Sequence, residues 1–356
     1  MRAHNFSAGP AALPLSVIEE ARDEMPVYKD AGASIMEISH RSPQYTAVVD
    51  SARARMKDLL GMGDEWHVLF LQGGASLQFY QVPLNFLPGG GVADYLDTGA
   101  WSAKAIKEAQ RIGNVNVAAS SKSEGYTFIP SSEELSLSRG AAYLHFTSNN
   151  TIHGTQFVAE PETGAPLVCD ASSDFLSRAV DVDRYGLIYA GAQKNVGPAG
   201  ATVVLIRDGF LAGRNDDLPT ILDYGTHATK LFHTPTVFAV YIVEKVLRWI
   251  QDNGGLDGME ARNKQKGALL YGRLDRSDFY RGTAREDSRS LMNVTFRLPD
   301  ESLEAAFVAD AKQENLVGLK GHRSVGGIRA STYNAVDLES VQALVSFMDH
   351  FESTHG

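Results

Sequence analysis

The sequence predicts an α/β fold, in which helices cover both faces of a mostly parallel sheet in a large domain and a smaller α+β domain follows. Between about residues 44 and 250, short β-rich runs alternate with longer helical patterns, as in chains built from βαβ units. Beyond two long helices this alternation stops. The length of 356 residues also fits two domains of about 100–200 residues each.

The strands of the large domain are predicted from short apolar runs, without the alternation typical of a sheet that is wet on one face. Their predicted ranges are 66–71, 92–96, 115–118, 142–146, 166–169, 187–189 and 202–206. Helical periodicity fills the gaps at 44–60, 76–87 and 102–111, and two long helices follow at 234–253 and 257–274. We therefore expect βαβ units covered on both faces.

The smaller domain is predicted from strands at 291–298 and 326–330 and helices at 302–314 and 338–352. The segment before Ala31 is expected to hold one short helix after Pro14 and to pack on this smaller domain. The predicted division is a large domain over 16–256 and a small domain over 1–15 and 257–356.

Composition excludes several classes of protein. The net charge is −10, with 33 Lys and Arg against 43 Asp and Glu, so a nucleic-acid partner is not expected. A single cysteine, Cys169, can form neither an intramolecular disulfide nor a cysteine-based metal site, and we expect a cytoplasmic protein without a metal. The N-terminus lacks the pattern of a signal peptide, and the longest apolar run, 237–243, is too short to span a membrane.

The densest chemical signal is the segment 189–200 (YAGAQKNVGPAG), where a strand leads into small residues that present Lys194. Small neighbours let a flat group approach, and partial desolvation favours the neutral, nucleophilic amine. Asp170 ends another apolar run and is expected at the carboxyl edge of the sheet, where it can hold a pyridinium nitrogen protonated. The alternatives are a surface lysine in a turn and an aspartate that caps a helix beginning at Ala171.

Two further pieces follow predicted strands. The segment 71–77 (LQGGASL) runs from a strand through a glycine turn into a helix, and free N–H groups at such a helix start can bind a phosphate. It lacks the spacing of a P-loop or a dinucleotide fingerprint. Trp101 begins another helix, where its indole either stacks on a flat cofactor or packs in the core.

Cations form the second group of candidates. His40 and Arg41, His322 and Arg323, and Arg329 make two His-Arg pairs and one further arginine. In an acidic chain, this grouping fits an anion that carries both a phosphate and a carboxylate, because guanidinium groups bind both in a two-point manner.

These pieces resemble class V of the fold-type I pyridoxal-phosphate aminotransferases, and more narrowly the phosphoserine aminotransferase family. The resemblance covers residues 5 to 335 and rests on five segments: 5–14 (NFSAGPAALP), 39–42 (SHRS), 148–156 (SNNTIHGTQ), 190–200 (AGAQKNVGPAG) and 321–335 (GHRSVGGIRASTYNA). Each segment alone is weak, but their combination is specific.

The resemblance implies roles for individual residues. Lys194 would form the Schiff base with pyridoxal 5′-phosphate and move the substrate proton. The implied cofactor contacts are Asp170 at the pyridine nitrogen, Trp101 by stacking, Thr151 by a hydrogen bond, and Gly74, Ala75 and Gln193 at the phosphate. His233 and Thr234 would reach the phosphate from the second subunit of a homodimer, although His233 stands where the family pattern has Asn. Arg329 would bind the α-carboxylate, and His40, Arg41, His322 and Arg323 the substrate phosphate.

The implied reaction is the ping-pong transamination between 3-phosphohydroxypyruvate plus glutamate and phosphoserine plus 2-oxoglutarate, a step of serine biosynthesis. An alanine- or serine-glyoxylate aminotransferase is an alternative that needs no phosphate site. A cysteine desulfurase would need a cysteine on a mobile loop, and Cys169 lies on a predicted buried strand. The remaining alternatives are a non-catalytic carrier of pyridoxal phosphate and a nicotinamide dehydrogenase, which lacks its glycine fingerprint here.

Overall fold

A computed structural model describes residues 2–87 and 90–356, so Met1, Pro88 and Gly89 of the predicted domains lie outside the described residues. The strands are β1 (His4–Asn5), β2 (Trp66–Leu71), β3 (Val92–Asp97), β4 (Asn114–Ser120), β5 (Leu144–Thr147), β6 (Asn149–Asn150), β7 (Thr155–Gln156), β8 (Leu167–Asp170), β9 (Tyr185–Gly191), β10 (Thr202–Arg207), β11 (Arg281–Gly282), β12 (Asn293–Arg297), β13 (Leu316–Val317) and β14 (Ile328–Ser331). The α-helices are α1 (Leu15–Glu24), α2 (Pro43–Leu60), α3 (Gly74–Phe86), α4 (Ala100–Ala109), α5 (Asp208–Leu211), α6 (Tyr224–Thr229), α7 (Val237–Asp252), α8 (Gly255–Asp275), α9 (Glu301–Gln313) and α10 (Leu338–His355).

A seven-stranded sheet with the order β2-β10-β9-β8-β5-β3-β4 forms the centre of the molecule. Its strands are parallel except β10, which runs antiparallel to both of its neighbours. All seven residues of β9 are buried, which explains why its sequence shows no polar alternation. The predicted α/β class with a mostly parallel sheet is confirmed.

Helix ends follow local sequence signals. Ser42 caps α2 by accepting a hydrogen bond from the backbone N–H of Tyr45, and Pro43 occupies the first helical position. Gly61 ends α2 with a φ of 65°, a left-handed conformation that favours glycine. No helix among the described residues is long and apolar enough to cross a membrane.

A second core lies outside the large sheet. It joins side chains of α8 to α10 and of the three-stranded sheet β11-β12-β14. Phe6 and Ala12 from the N-terminal segment also belong to it. We call the elements around this second core the smaller unit.

The N-terminal segment divides between the two cores. Val17 and Ala21 of α1 belong to the core beneath the large sheet, where α1 packs against α7. The prediction that this whole segment packs on the smaller domain is therefore wrong for α1, whose apolar residues face α7 instead. Helix α8 contributes Met259 to the first core and Leu270 to the second, so it links both. The predicted domain boundary at 256/257 stays a prediction.

Candidate active site

A cavity of about 320 Å³ lies at the carboxyl edge of the large sheet, where several parallel strands end side by side. It brings together these predicted site residues: Gly74, Ala75, Trp101, Thr151, Asp170, Gln193, Lys194, His322 and Arg329. They are distant in sequence and meet because each follows a strand of the same edge or comes from the smaller unit.

Lys194 lies in the connection between two antiparallel strands, β9 and β10. The pair Gly191–Thr202 closes this connection in the sheet. The Lys194 Nζ donates a hydrogen bond of 2.7 Å to Thr151 Oγ1. The Ala11 N–H donates to the carbonyl of Gln193 at 2.9 Å, so the N-terminal segment braces the loop beside the lysine. Lys194 therefore projects into the cavity from an anchored loop and is not a surface residue in a free turn.

Asp170 is the last residue of β8 and is buried, with 4% of its surface exposed. Burial raises the pKa of the Asp170 carboxyl, while the hydrogen bonds from Ser172 and the nearby Lys194 oppose that rise. Its Oδ1 accepts the backbone N–H of Ser172 at 3.0 Å. Turns follow Ala171 and no helix begins there, so the alternative of a helix cap is wrong. The carboxylate is held at the edge of the sheet beside the cavity.

The glycine turn between β2 and α3 forms one end of the cavity. Gly73 has a φ of 87°, and a Cβ on it would lie 2.6 Å from the Cβ of Leu77, so this position requires glycine. The N–H of Gly74 donates to Thr202 Oγ1 at 2.8 Å, which ties the turn to the first residue of β10. N–H groups in the first turn of a helix have no partner within the helix, and the anion site expected at the start of α3 stays a prediction.

Trp101 lies in the first turn of α4 and lines the cavity from the side. Its indole also packs against a core cluster of the large sheet, as the alternative of a core tryptophan expects, and stacking on a cofactor stays a prediction. The Nε1 is buried without a hydrogen-bond partner in the described part of the chain. The ammonium group of Lys104 lies 4.1 Å from the centre of the ring.

Two side chains of the smaller unit, Arg329 and His322, also line the cavity. Arg329 on β14 donates from Nη1 to the carbonyl of Thr151 at 3.2 Å, and its Nε is buried without a partner among the described residues. Burial lowers the pKa of the Arg329 guanidinium. Burial also lowers the pKa of His322, and the charges of Arg329, Arg323 and Lys104 lower it further. Such a group of cations attracts an anionic substrate.

The remaining predicted residues do not line this cavity in a single chain. His40 is half-buried and Arg41 exposed in the turn before α2, and Arg323 is exposed beside His322. Of the four residues of the two His-Arg pairs, the cavity is lined only by His322. Their predicted convergence on one anion, with some of the groups supplied by a partner subunit, stays a prediction.

His233 and Thr234 lie in the segment before α7. Both ring nitrogens of His233 are buried without a partner among the described residues. Desolvation lowers the pKa of His233, and the neighbouring His227 and His40 add to the effect. The carbonyl of Thr234 accepts a hydrogen bond from Gln72 Nε2 at 3.0 Å, while the residue itself is exposed. This segment therefore lies close to the glycine turn but outside the cavity of its own chain.

Sequence reasoning missed residues that contact the site only in three dimensions. Lys104 is one of them, and its position three residues after Trp101 on a helix is a signal that places both side chains on one face. Ser173 also lines the cavity, three residues after Asp170. No motif distinguishes it from Ser172.

The fold and the site together define a class of aminotransferases. The profile of the family described as "Aminotransferase class-V" matches residues 3–344, and the chain belongs to this family. Within it, the chain is one of the phosphoserine aminotransferases. It is 54% identical to the phosphoserine aminotransferase of Desulfosudis oleivorans, over 100% of this chain and 99% of the relative.

Two solved structures agree with this assignment. The phosphoserine aminotransferase from Bacillus circulans subsp. alkalophilus superposes with a TM-score of 0.98 at 53% identity, covering 100% of this chain and 99% of that one. A PLP-bound phosphoserine aminotransferase from Trichomonas vaginalis has a TM-score of 0.93 at 38% identity, covering 98% of this chain and 100% of that one. The predicted family is confirmed.

Proposed function

We propose that this chain, with pyridoxal 5′-phosphate as cofactor, interconverts 3-phosphohydroxypyruvate plus L-glutamate and O-phospho-L-serine plus 2-oxoglutarate. The observation that carries the proposal is the geometry of one cavity. Lys194 and Asp170 line it together with Arg329 and His322 of the smaller unit. The family and the relatives support the same reaction.

The residues present fit the cofactor. The cavity offers an amine, a buried carboxylate and an indole face, and a Cβ added at Gly74 would meet no atom within 4 Å, so the glycine turn faces open space. When bound, pyridoxal phosphate supplies a carbonyl carbon that bonds an amino group and a ring that withdraws electrons from the substrate Cα. Lys194 would hold it covalently, with Asp170 at the ring nitrogen and Gly74, Ala75 and Gln193 at the phosphate.

The chain's own residues then divide the work. Lys194, with its amine free, would accept the proton from the substrate Cα and deliver it to the former carbonyl carbon of the cofactor, first as general base and then as general acid. Asp170 would keep a proton on the ring nitrogen, since a buried carboxylate beside a positive ring favours the ion pair. Arg329 orients the substrate through its α-carboxylate, and Trp101 covers one face of the bound ring.

Anion selectivity follows from the charges on the substrate side. Plain serine carries only the α-carboxylate, whereas phosphoserine adds a dianion that His322 and Arg323 can bind. Each charged hydrogen bond contributes about 1.5–3 kcal/mol, or roughly ten- to a hundredfold in affinity. An alanine- or serine-glyoxylate aminotransferase would gain nothing from this arrangement. We propose that the enzyme acts in the cytoplasm, since its single cysteine is a buried free thiol that suits a reducing compartment.

The proposed function is tested by rapid-mixing absorbance on the protein loaded with pyridoxal phosphate. Phosphoserine is expected to remove the visible band at a rate at least about tenfold above that seen with serine at equal concentration. Adding 2-oxoglutarate alone should leave the band unchanged. Equal rates with both amino acids, or no change with phosphoserine, would refute the proposed substrate.

We also propose that two copies share each active site, with Thr234 and His233 reaching the phosphate end of the partner's cavity. Both ring nitrogens of His233 lack a partner among the described residues and Thr234 is exposed, which supports this arrangement. The charge of His40 lowers the pKa of His233, so these two predicted ligands influence each other within one chain.

Mixed dimers test this sharing. Lys194→Ala lacks the reactive amine, and Thr234→Asp places a negative charge where the phosphate is expected, so each variant alone should be inactive at limiting cofactor. Unfolding and refolding the two together should restore activity, because hybrid dimers then hold one site with both residues intact. If mixing restored nothing while the dimers exchanged, Thr234 would serve its own chain and the shared site would be wrong.

A further inference from the structure

A hydrogen-bonded series of buried polar side chains begins at Lys194 and crosses from the large sheet to the smaller unit. Thr151 Oγ1, which accepts from Lys194 Nζ, lies 2.9 Å from Ser173 Oγ. Ser173 Oγ lies 3.0 Å from Asn293 Oδ1, and Asn293 Nδ2 lies 3.1 Å from the hydroxyl of Tyr333. Thr151, Ser173, Asn293 and Tyr333 are each at most 4% exposed, although Thr151 and Ser173 also line the cavity.

The direction of every hydrogen bond in this series follows from its last member, Tyr333. The Tyr333 hydroxyl lies 2.9 Å from the carbonyl oxygen of Ala8, which can only accept, so Tyr333 must donate its one hydrogen there. Tyr333 therefore accepts from the Asn293 amide, and this fixes Asn293 Nδ2 toward Tyr333 and Oδ1 toward Ser173. A second contact agrees, since Asn149 Nδ2 donates to the same Oδ1 at 2.8 Å.

The orientation of Asn293 determines to which acceptors the Ser173 and Thr151 hydroxyl groups donate. Ser173 has one hydrogen and gives it to Asn293 Oδ1, so its oxygen can only accept from Thr151. The single hydrogen of Thr151 is thereby used on Ser173. Toward the cavity, Thr151 presents lone pairs, and these meet the Nζ of Lys194. Each member of the series therefore donates a hydrogen bond to the next, from the Lys194 amine to the backbone carbonyl of Ala8.

We propose that Ser173, Asn293 and Tyr333 are positioning residues that hold the Thr151 hydroxyl as an acceptor for the Lys194 amine. In the protein without cofactor, the smaller unit and the N-terminal segment thereby set the place of the reactive lysine. The reaction of this lysine with the cofactor rests on the proposed function, whereas the hold on its amine does not.

Ser173→Ala removes one hydroxyl from the middle of the hydrogen-bonded series and changes the side-chain volume little. Asn149 and Asn293 remain hydrogen-bonded to each other in this variant, so the fold should persist. The Thr151 hydrogen loses its acceptor and can turn toward Lys194, so the hydroxyl no longer accepts from the amine and the amine is held less firmly. Ser331→Ala is the matched control, because Ser331 Oγ accepts from the same Asn293 amide at 2.9 Å but lies outside the path to Lys194.

The direct readout is the rate at which acetic anhydride labels Lys194 in the full chain without cofactor, measured by mass spectrometry against the exposed Lys264 as an internal reference. Ser173→Ala is expected to raise the relative labelling of Lys194 about three- to tenfold, and Ser331→Ala to leave it unchanged.

Tyr333→Phe is a second variant, which removes the last hydroxyl of the hydrogen-bonded series. It should also raise the labelling of Lys194, but by a smaller factor than Ser173→Ala. This variant decides the matter if Ser173→Ala does not fold. Labelling of Lys194 in both variants that matches wild type and Ser331→Ala would overturn the proposal. Because labelling uses no substrate, its outcome holds even if phosphoserine were not the amino donor.

Discussion

Lys194→Ala is expected to lower kcat by more than about 10³-fold, since the variant loses both the covalent bond to the cofactor and the base that moves the proton. Borohydride reduction followed by mass spectrometry is expected to find no cofactor covalently bound in this variant. Lys194→Arg should behave alike, because its guanidinium keeps the charge but cannot form the bond.

The fold should survive this substitution. Lys194 lies in a loop, and its Nζ hydrogen bond to Thr151 accounts for no more than about 1.5–3 kcal/mol of stability. Lys264→Ala on the exposed face of α8 serves as the control and should keep full activity and full covalent capture. Cofactor that was still fixed to another lysine in Lys194→Ala would show that Lys194 is not the residue that binds it.

Arg41→Ala and Arg329→Ala are expected to separate the two anionic ends of the substrate. Loss of Arg41 should lower kcat/KM for phosphoserine by roughly ten- to a hundredfold and change serine far less, because serine has no phosphate. Loss of Arg329, whose Nε is buried without a partner among the described residues, should reduce both substrates, because both carry the carboxylate. The measurement is kcat/KM for each amino acid in each variant.

The control for these substitutions is Arg22→Ala, which removes an exposed arginine paired with Asp23 far from the cavity and should change neither substrate. If Arg41→Ala lowered phosphoserine and serine equally, Arg41 would not read the phosphate. The chain would remain a class V aminotransferase, and its phosphate contact would have to be sought among His322 and Arg323.

Much of the fold could be predicted because burial and capping leave local signals. The predicted strand at 66–71 coincides with β2, and α2 begins one residue before its predicted start because Ser42 and Pro43 mark it. The antiparallel direction of β10 could not be predicted, since a buried strand has the same apolar pattern in either direction. Strands β6 and β7 have two residues each and carry no pattern at all.

The candidate site divides in the same way. Lys194 and Asp170 were predicted because each ends or follows a strand with a distinctive local sequence. The hydrogen-bonded series of Thr151, Ser173, Asn293 and Tyr333 was not predicted. Asn293 and Tyr333 contact Ser173 from positions 120 and 160 residues away in the sequence. Asn293 stands in an otherwise ordinary strand, and only the three-dimensional contact shows that its amide has a fixed orientation.

Thr202 has a consequence for the size of the molecule that the cavity accepts. This residue closes the loop that carries Lys194, and its hydroxyl also holds the N–H of Gly74 at the glycine turn. The Lys194 loop and the glycine turn are therefore both attached to Thr202, so the distance between them is set before a ligand binds. A ligand must be long enough to reach both the Lys194 amine and the turn at Gly74. An aldehyde with the pyridine ring of the cofactor but without its phosphate would contact only the amine.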